Sequence, residues 1–352
     1  MISIMASALS VVLGAELAVA AGASLPDALA RLAPGDTLRL GPGEHRGGLG
    51  RLEGVTVAGA GAGVTVVLAP QGDDGVVATG ALSLSGLSIV AGPHRSALKV
   101  LGGAARLRDV ALLGGACGAF VEEGRLEGEE LVLDGEYGLL SRRGEVRLER
   151  VTASGRHAGV AVLGGTLELR RAALTGPSSE AALSVAGGTV RLAEVVVRAP
   201  GPSGLAVSGG SVVARDLTVA GPREAGGVLG DCLQVRRAEV RLSASELTGC
   251  GGAAVEASRA RLWLDGVDAA GGAAGCLILT DRSQADLSAT LCTRRGPGLV
   301  VMEGSAVRAF GARFWTDPSI WADCGSGARV ELLDAPPERQ PCASLPGPSP
   351  GP

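Results

Sequence analysis

The stretch EVRLERVTASGRHAGVAVLGG, which runs from Glu145 to Gly165, contains the pattern that decides the fold. Apolar and polar residues alternate from Val146 onward, and the alternation resumes at Val160 and Val162 before a Gly-Gly pair turns the chain. A period of two is typical of a strand that buries one face. The segments are short and rich in β-branched residues, so they favour strands over helices.

The same pattern returns along most of the chain about every 20–23 residues. The repeats are 105–124, 125–144, 145–165, 166–188, 189–210, 211–238, 239–260, 261–283, 284–305 and 306–327, with looser coils at 54–80 and 81–104. A recurring phase stacks equivalent residues about 4.8 Å apart, whereas the strands of a sandwich differ from one another. A leucine-rich repeat needs a fixed Asn or Cys, which is absent. We therefore predict an all-β, right-handed parallel β-helix of three-strand coils over residues 24–335.

Composition limits both the core and the partners. The 352 residues are 46% hydrophobic but only 2% aromatic, so Val, Leu and Ala must fill the core as thin layers. The formal net charge is −4, acidic and basic residues are interspersed, and Lys99 is the only lysine. Without a basic patch or an aromatic stacking platform, we expect no nucleic-acid partner.

The two ends differ from the repeats. Met1–Ala15 is apolar and uncharged, but it is shorter than the roughly 20 residues that span a bilayer, so no transmembrane span is expected. We interpret residues 1–23 as a signal peptide and leader of a secreted, periplasmic or outer-envelope protein; the alternative is a first buried strand of a cytosolic protein. Residues 336–352 form a Pro-rich C-terminal tail that ends in LPGPSPGP.

A short helix is predicted just after the leader. Ser24 can serve as an N-cap and Asp27 lies three residues later, while Leu25 and Ala28 share one helical face. Such a helix would cover the apolar end of the solenoid, where strand edges are otherwise unpaired.

The stretch SLPDALARLAPGDTLRLGPGEH, Ser24–His45, resembles the opening of many secreted right-handed β-helix proteins of the pectate-lyase-like superfamily. These begin with a capping helix, a Pro-Gly-Asp-Thr turn (here 34–37) and a strand that ends in Pro-Gly. Many of them have Tyr where this chain has His45. They include polysaccharide lyases and periplasmic accessory proteins of nitrous oxide reductase. The resemblance implies the fold and leaves the activity open.

The resemblance to lyases implies a Lys base, an Arg and often a Ca²⁺ site. Lys99, with His94 and Arg95 nearby in sequence, is the only candidate base, and we interpret it as a solvated surface lysine. Asp73 and Asp74 are the only adjacent Asp pair, and we interpret them as a polar turn in preference to paired carboxylates.

Metal and cofactor motifs are not found in the sequence. The three histidines are widely separated and no Cys-x-x-Cys occurs. The Gly-rich run Ala58–Gly63 lies between two strands and lacks the dinucleotide-binding spacing. We therefore predict no catalytic, cofactor-binding or metal-binding residues.

Six of the seven cysteines are spaced for disulfides between neighbouring coils. The predicted pairs are Cys232–Cys250, Cys276–Cys292 and Cys324–Cys342. Cys117 is then left over, and we expect it to be buried and reduced. Such bridges would fit an oxidising compartment, and the alternative is a set of free buried thiols.

Three surface features are also predicted. Alternating charges form a ladder that fixes the register of the coils: Arg106, Glu127, Arg147, Glu168 and Arg191.

The outward positions of the third strands form a stripe of mostly apolar or small residues: Phe120, Leu140, Ala161, Ser184, Ala206, Gln234, Glu256, Ile278 and Val300. This stripe is either a partner surface or is covered by the chain's own loop 221–231. In that loop, Arg223, Glu224 and Asp231 are candidates for binding, with a tolerated insertion as the alternative.

Three functions remain compatible with these features. The first, which we favour, is a non-catalytic secreted or envelope protein that offers a structural or partner- or glycan-binding surface. The second is a carbohydrate-active enzyme, either a lyase or a hydrolase, which would need at least three titratable groups converging in one groove. The third is a periplasmic accessory protein, suggested by the resemblance alone.

Overall fold

The computed structural model describes residues 14–176, 180–198, 201–221, 230–293, 296–315 and 320–334. The N-terminal elements and strands are β1 Glu16–Val19, α1 Leu25–Leu29, β2 Thr37–Leu40, β3 Gly43–Arg46, β4 Gly50–Leu52, β5 Val55–Ala58, β6 Thr65–Leu68, β7 Val76–Ala78, β8 Ala81–Val90, β9 Ser96–Leu113, β10 Cys117–Ser141, β11 Glu145–Val162, β12 Thr166–Thr175, β13 Ala181–Val185, β14 Thr189–Arg198 and β15 Ser203–Val207. The remaining strands are β16 Ser211–Ala220, β17 Asp231–Arg236, β18 Glu239–Ser243, β19 Glu246–Thr248, β20 Ala253–Ser258, β21 Arg261–Asp265, β22 Asp268–Ala270, β23 Gly275–Thr280, β24 Gln284–Ser288, β25 Leu291–Thr293, β26 Leu299–Val301, β27 Ala306–Phe310, β28 Arg313–Trp315, β29 Ile320–Ala322 and β30 Arg329–Leu332.

These strands stack in parallel into a β-solenoid of about 14 turns. The first face runs from β1, β2 and β5 to β24, β27 and β30. The second face runs from β3 and β6 to β25 and β28, and the third from β4 and β7 to β26 and β29. Long strands such as β10 and β11 pass around corners and contribute to more than one face. The predicted all-β parallel architecture is therefore confirmed.

Coil length varies more than the sequence repeat suggests. Between residues 145 and 211 the paired positions recur within the predicted interval, as with Glu145 and Thr166. Nearer the N-terminus, Thr37 pairs with Thr56, whereas Thr56 pairs with Ser83 in a much longer coil. The coil that leads to β18 is also long. The differences lie in the turns, since only the strand segments must stay in register for the core to stack.

The core is a set of aliphatic columns. Val146, Leu167, Val190 and Val212 are in register on successive coils of the first face and are essentially inaccessible to solvent. Each side chain therefore packs against its equivalents above and below. Aromatic rings are not needed to fill this core, because each coil contributes a layer that is only one strand thick.

Glycine builds the turns between the third and first faces in the middle coils. Gly165, Gly188 and Gly210 all have positive φ, at 81°, 84° and 77°. A Cβ on Gly188 would clash with the carbonyl oxygen of Gly165 one coil away. The backbone stacks too closely here for any side chain.

The N-terminal part contains the single α-helix of the described residues. In α1, Ser24 accepts a hydrogen bond from the backbone N–H of Asp27 at 3.4 Å, and Leu25 and Ala28 are buried. β1 precedes this helix and pairs with β2, so the solenoid includes residues of the 1–23 segment that the sequence analysis assigned to a leader. No described helix is long and apolar enough to cross a membrane.

Two disulfides join neighbouring coils. Cys232 bonds to Cys250 and Cys276 bonds to Cys292, with Cα separations of 5.3 and 5.8 Å. Both are pairs that the spacing predicts. Cys342 lies outside the described residues, so the third pair stays a prediction. Cys117 is buried and free, as expected.

Candidate functional site

A groove follows the corner between the second and third faces over several successive coils. This corner groove has a volume of about 580 Å³ and is lined by Ala91, Pro93, Leu113, Gly114, Gly115, Asp134, Gly135, Ser154, Gly155 and Arg156. The residues belong to or follow the ends of second-face strands in β8 to β11. Equivalent positions of neighbouring coils therefore build one continuous channel.

Glycines form the floor of the groove. A Cβ on Gly115 would lie 2.5 Å from the carbonyl oxygen of Gly92, and one on Gly155 would clash with the carbonyl oxygen of Ala158. Only backbone can occupy these positions. These glycines therefore let the backbone stack closely at this corner.

Polar side chains line the groove. The Ser154 hydroxyl donates to Oδ1 of Asp134 at 2.5 Å. The Arg156 guanidinium donates to the carbonyl oxygen of Gly115 at 3.2 Å and lies 3.6 Å from a carboxylate oxygen of Glu136. The lining of the groove thus offers one carboxylate, one hydroxyl and one guanidinium; the hydroxyl is bonded to the carboxylate and the guanidinium to the backbone of Gly115.

An aromatic pair stands beside these polar groups. The rings of Tyr137 and His157 lie 5.5 Å apart at an interplanar angle of 32°, and Nδ1 of His157 lies 3.5 Å from Oε1 of Glu180. Partial burial, together with the negative charge of Glu180, raises the pKa of Tyr137, so its hydroxyl stays a neutral donor.

Lys99 is not the solvated surface lysine that the sequence analysis expected. Its Nζ lies 2.7 Å from Oδ2 of Asp74, and the two side chains are only 28% and 12% exposed. Oδ1 of Asp74 also accepts the backbone N–H of Ser96 at 2.9 Å. Burial opposes ionisation of Asp74, but the hydrogen bonds from Lys99 and Ser96 outweigh it and lower its pKa. Asp73 and Asp74 therefore form no carboxylate pair; Asp74 anchors the turn.

Cys117 is close to this ion pair but is not poised to react. Burial raises the pKa of its thiol to about 11, although a hydrogen bond with Ser96 acts in the opposite direction. A thiol with such a pKa carries almost no thiolate near neutral pH, so it is a poor nucleophile and metal ligand.

The predicted stripe exists on the third face. From Ala161 to Val300 its members are in register, coil upon coil. Ala161, Phe120 and Val300 are buried and the others are half-buried. The Arg142 guanidinium covers the ring of Phe120 at 5.4 Å from its centroid. Part of the stripe is therefore covered by the chain itself, while loop residues 222–229 lie outside the described part.

A carboxyl pair interrupts the stripe. Asp231 begins β17 and is only 7% exposed. The prediction that it belongs to the loop is therefore wrong. Its carboxylate accepts the backbone N–H of Ala253 at 2.6 Å and the side-chain amide of Gln234 at 2.8 Å. Burial, followed by the hydrogen bond and charge of Asp231, raises the pKa of Glu256. The other two predicted loop residues, Arg223 and Glu224, lie outside the described residues.

The charge ladder is confirmed as one column of the first face. Its five members are in register on consecutive coils. Arg106 lies 3.3 Å from Glu127, and Arg147 lies 3.8 Å from Glu168. Lateral pairs within one strand, such as Arg125–Glu127 at 3.6 Å and Arg147–Glu145 at 2.6 Å, extend it into a lattice. The ion pairs therefore run both along and across the first face.

Among the described residues, no three His, Cys, Asp or Glu side chains are grouped so that they could hold a metal ion. The sequence analysis missed the Tyr137–His157 pair because it treated the aromatic residues singly. The available signal was their separation, which is close to one coil, with Glu180 a further coil along.

No family model matches the chain, and no curated protein matches its sequence. One similar solved structure is a mannuronic acid specific polysaccharide family 6 lyase from human gut microbiota. The match covers 93% of this chain and 89% of the lyase chain, with a TM-score of 0.51 and 11% sequence identity. The match to a family 6 alginate lyase covers 90% of this chain and 53% of the lyase chain, at 12% identity and a TM-score of 0.45.

The Dettilon tailspike protein covers 84% of this chain at 11% identity and a TM-score of 0.48, and this chain spans 64% of its length. These neighbours are right-handed parallel β-helix proteins. The likeness to the mannuronic acid specific lyase, at a TM-score of 0.51 and 11% identity, shows that this chain shares the β-helix fold and nothing finer.

Proposed function

We propose that this chain is a non-catalytic secreted or cell-envelope β-helix protein that binds a glycan in the corner groove. The observation that supports it is the tilted Tyr137–His157 pair, in which His157 directly follows Arg156 of a groove whose other polar groups are Asp134 and Ser154. An aromatic face packs against the C–H face of a sugar, while carboxylates, hydroxyls and guanidinium groups match its hydroxyls.

The size of the groove suits this ligand. Ligand sites commonly measure roughly 300–1,000 Å³, and the corner groove at about 580 Å³ falls inside that range. It runs along the solenoid axis over the successive coils that contribute Ala91, Leu113, Asp134 and Ser154. A linear glycan can therefore extend beyond the sugar units that contact the aromatic pair.

Binding is favoured over catalysis because the groups near the groove already satisfy one another. Asp134 is hydrogen-bonded by Ser154, and Arg156 is close to Glu136. Lys99, the one available amine base, is ion-paired with Asp74. A general base must be free to take a proton from the substrate at the working pH.

The location outside the cytoplasm is supported by the two disulfides, which persist in oxidising compartments. In the same proposal, α1 caps the N-terminal end of the solenoid. Its buried Leu25 and Ala28 shield the first coil from solvent.

A carbohydrate-active enzyme is the second candidate, and the carboxyl pair Asp231–Glu256 favours it. Two carboxyls that share a hydrogen bond, with one pKa raised, can divide the roles of acid and base. Gln234 is within hydrogen-bond distance of Asp231 and could orient a substrate.

Calorimetric titration of the purified chain with a panel of oligosaccharides tests the first candidate. We expect one glycan class to bind, with affinity lost at least about fivefold in Tyr137→Leu, because a ring packed on a sugar contributes on the order of 1 kcal/mol or more. Phe310→Ala, which removes an exposed ring at another position, is the matched control and should bind normally. Binding that is unchanged in Tyr137→Leu and His157→Ala contradicts the proposal.

The enzyme candidate is tested with the same panel by release of reducing ends and by ultraviolet absorbance of unsaturated products. Turnover that disappears in Glu256→Gln and persists in Tyr137→Leu would replace the binding proposal with the catalytic one.

A further inference from the structure

A second groove lies at the turns between the third and first faces, in the C-terminal half of the solenoid. It has a volume of about 470 Å³ and is lined by Arg259, Ala260, Arg261, Asp281, Arg282 and Gln284. Three guanidinium groups therefore meet one carboxylate, in a chain whose net charge is −4. We call this the arginine corner.

The backbone at this corner is left-handed, as it also is between the first and second faces at Glu130 and Arg150. Arg237, Arg259 and Arg282 each stand two residues before a first-face strand, at φ values of 52°, 53° and 64°. Left-handed backbone is unfavourable for a residue with a Cβ and free of penalty for glycine. In the next two coils the same turn position is occupied by Gly304 and Gly327, at φ values of 71° and 84°.

The turn itself therefore does not require arginine, since glycine makes the same turn elsewhere in this chain. Strained residues of this kind cluster where their side chains have a use. Two additional left-handed residues, Asp281 and Glu303, are found at the same corner, at φ values of 55° and 54°.

Ion pairing accounts for only one of the three arginines that line the groove. Arg259 lies 2.5 Å from Oδ2 of Asp281, which also accepts from the Ser258 hydroxyl at 3.4 Å. Neither Arg261 nor Arg282 has a carboxylate within ion-pair distance among the described residues, although Glu239 is the register neighbour of Arg261. On the ladder face, by contrast, the arginines of successive coils are paired.

We infer that the arginine corner binds the carboxylate or sulfate groups of an acidic polysaccharide. The planar guanidinium donates two parallel hydrogen bonds to such oxyanions. Because Arg237, Arg259 and Arg282 occupy one turn position on successive coils, about 4.8 Å apart, they form a row along the axis. A row of cations matches a linear polymer that carries a charge on each unit. The site is separate from the corner groove and does not depend on it.

The test uses the full chain and three polymers of matched length: polygalacturonate, dextran sulfate and neutral dextran. We expect the two acidic polymers to bind and neutral dextran not to bind. In Arg259→Gly/Arg282→Gly the affinity should fall at least about tenfold, and the slope of log affinity against log salt should fall by roughly two. Thermal stability should stay equal or rise, because glycine relieves the left-handed backbone.

Arg171→Gly is the matched control, because Arg171 is also left-handed, at φ 51°, but pairs with Glu149 on the ladder face. It removes one of the two charges that the double variant removes, and it should leave binding unchanged. An equal loss of affinity in this control would overturn the inference, as would a double variant that binds normally but is destabilised. Equal affinity for duplex DNA would overturn the assignment to a polysaccharide. If the double glycine variant does not fold, Arg259→Gln/Arg282→Gln gives the same binding test.

Discussion

Reversal of one charge in the ladder should destabilise the solenoid by an amount that the column geometry predicts. Glu127→Arg removes two ion pairs, with Arg106 at 3.3 Å and Arg125 at 3.6 Å. It also places an arginine between Arg106 and Arg147, its register neighbours on adjacent coils.

The magnitude follows from exposure. Arg106 is 76% exposed and Glu127 is 30% exposed, so each lost pair contributes only about 0.2–1 kcal/mol. Two like charges about 4.8 Å apart repel by roughly 0.9 kcal/mol in water, and less in salt. The free energy of unfolding should therefore fall by about 1–3 kcal/mol in total.

Urea unfolding followed by circular dichroism measures this change. Glu127→Gln, which removes the pairs without adding repulsion, should lose about half as much. The exchange Arg106→Glu/Glu127→Arg should recover part of the loss, since one opposite-charge contact returns. At about 1 M salt the difference should shrink, because screening then acts within roughly 3 Å. A loss that is independent of salt and not recovered by the exchange would refute the ladder.

Three other predictions concern the fold. Cys232→Ser should lower the free energy of unfolding by about 3 kcal/mol, because the disulfide to Cys250 closes a loop of 18 residues; peptide mapping without reductant checks the bond itself. Gly188→Ala should cost roughly 2 kcal/mol or more, measured as a lower unfolding midpoint, since it combines positive φ with a backbone clash; a neutral result would contradict the close stacking. Folding raises the pKa of Glu256, so the folded state holds this proton more tightly than the unfolded state does. The protonated Glu256 therefore stabilises the fold at low pH, and this stabilisation is lost as pH rises above the ordinary carboxyl range. Glu256→Gln should therefore flatten that decline in a pH series of unfolding midpoints, and an unaltered pH profile would argue against the carboxyl pair.

The features that follow from periodicity were predictable from the sequence. Once the coil length is known, residues such as Arg106 and Glu127 must stack, and cysteines just under one coil apart come within bonding distance. The ladder follows from the parallel register alone, whereas the disulfide also depends on the turn, because Cys250 lies between β19 and β20 and is not the register partner of Cys232.

The features that depend on turn shape were not predictable. The Lys99–Asp74 pair joins a strand to a long turn, whose length departs from the repeat. The aromatic pair is similar: Tyr137 is in register with Ala158, not with His157, so the rings meet through a local shift of the strand. Such shifts arise from the glycine-built corner and leave no periodic signal.

The central claim is that the corner groove holds a glycan, and a crystal structure of the chain with a bound oligosaccharide tests it most directly. We predict a sugar ring packed against Tyr137, with its hydroxyls within hydrogen-bond distance of Asp134 and Arg156. A sugar bound across Asp231 and Glu256 on the third face, with the corner groove empty, would contradict the claim.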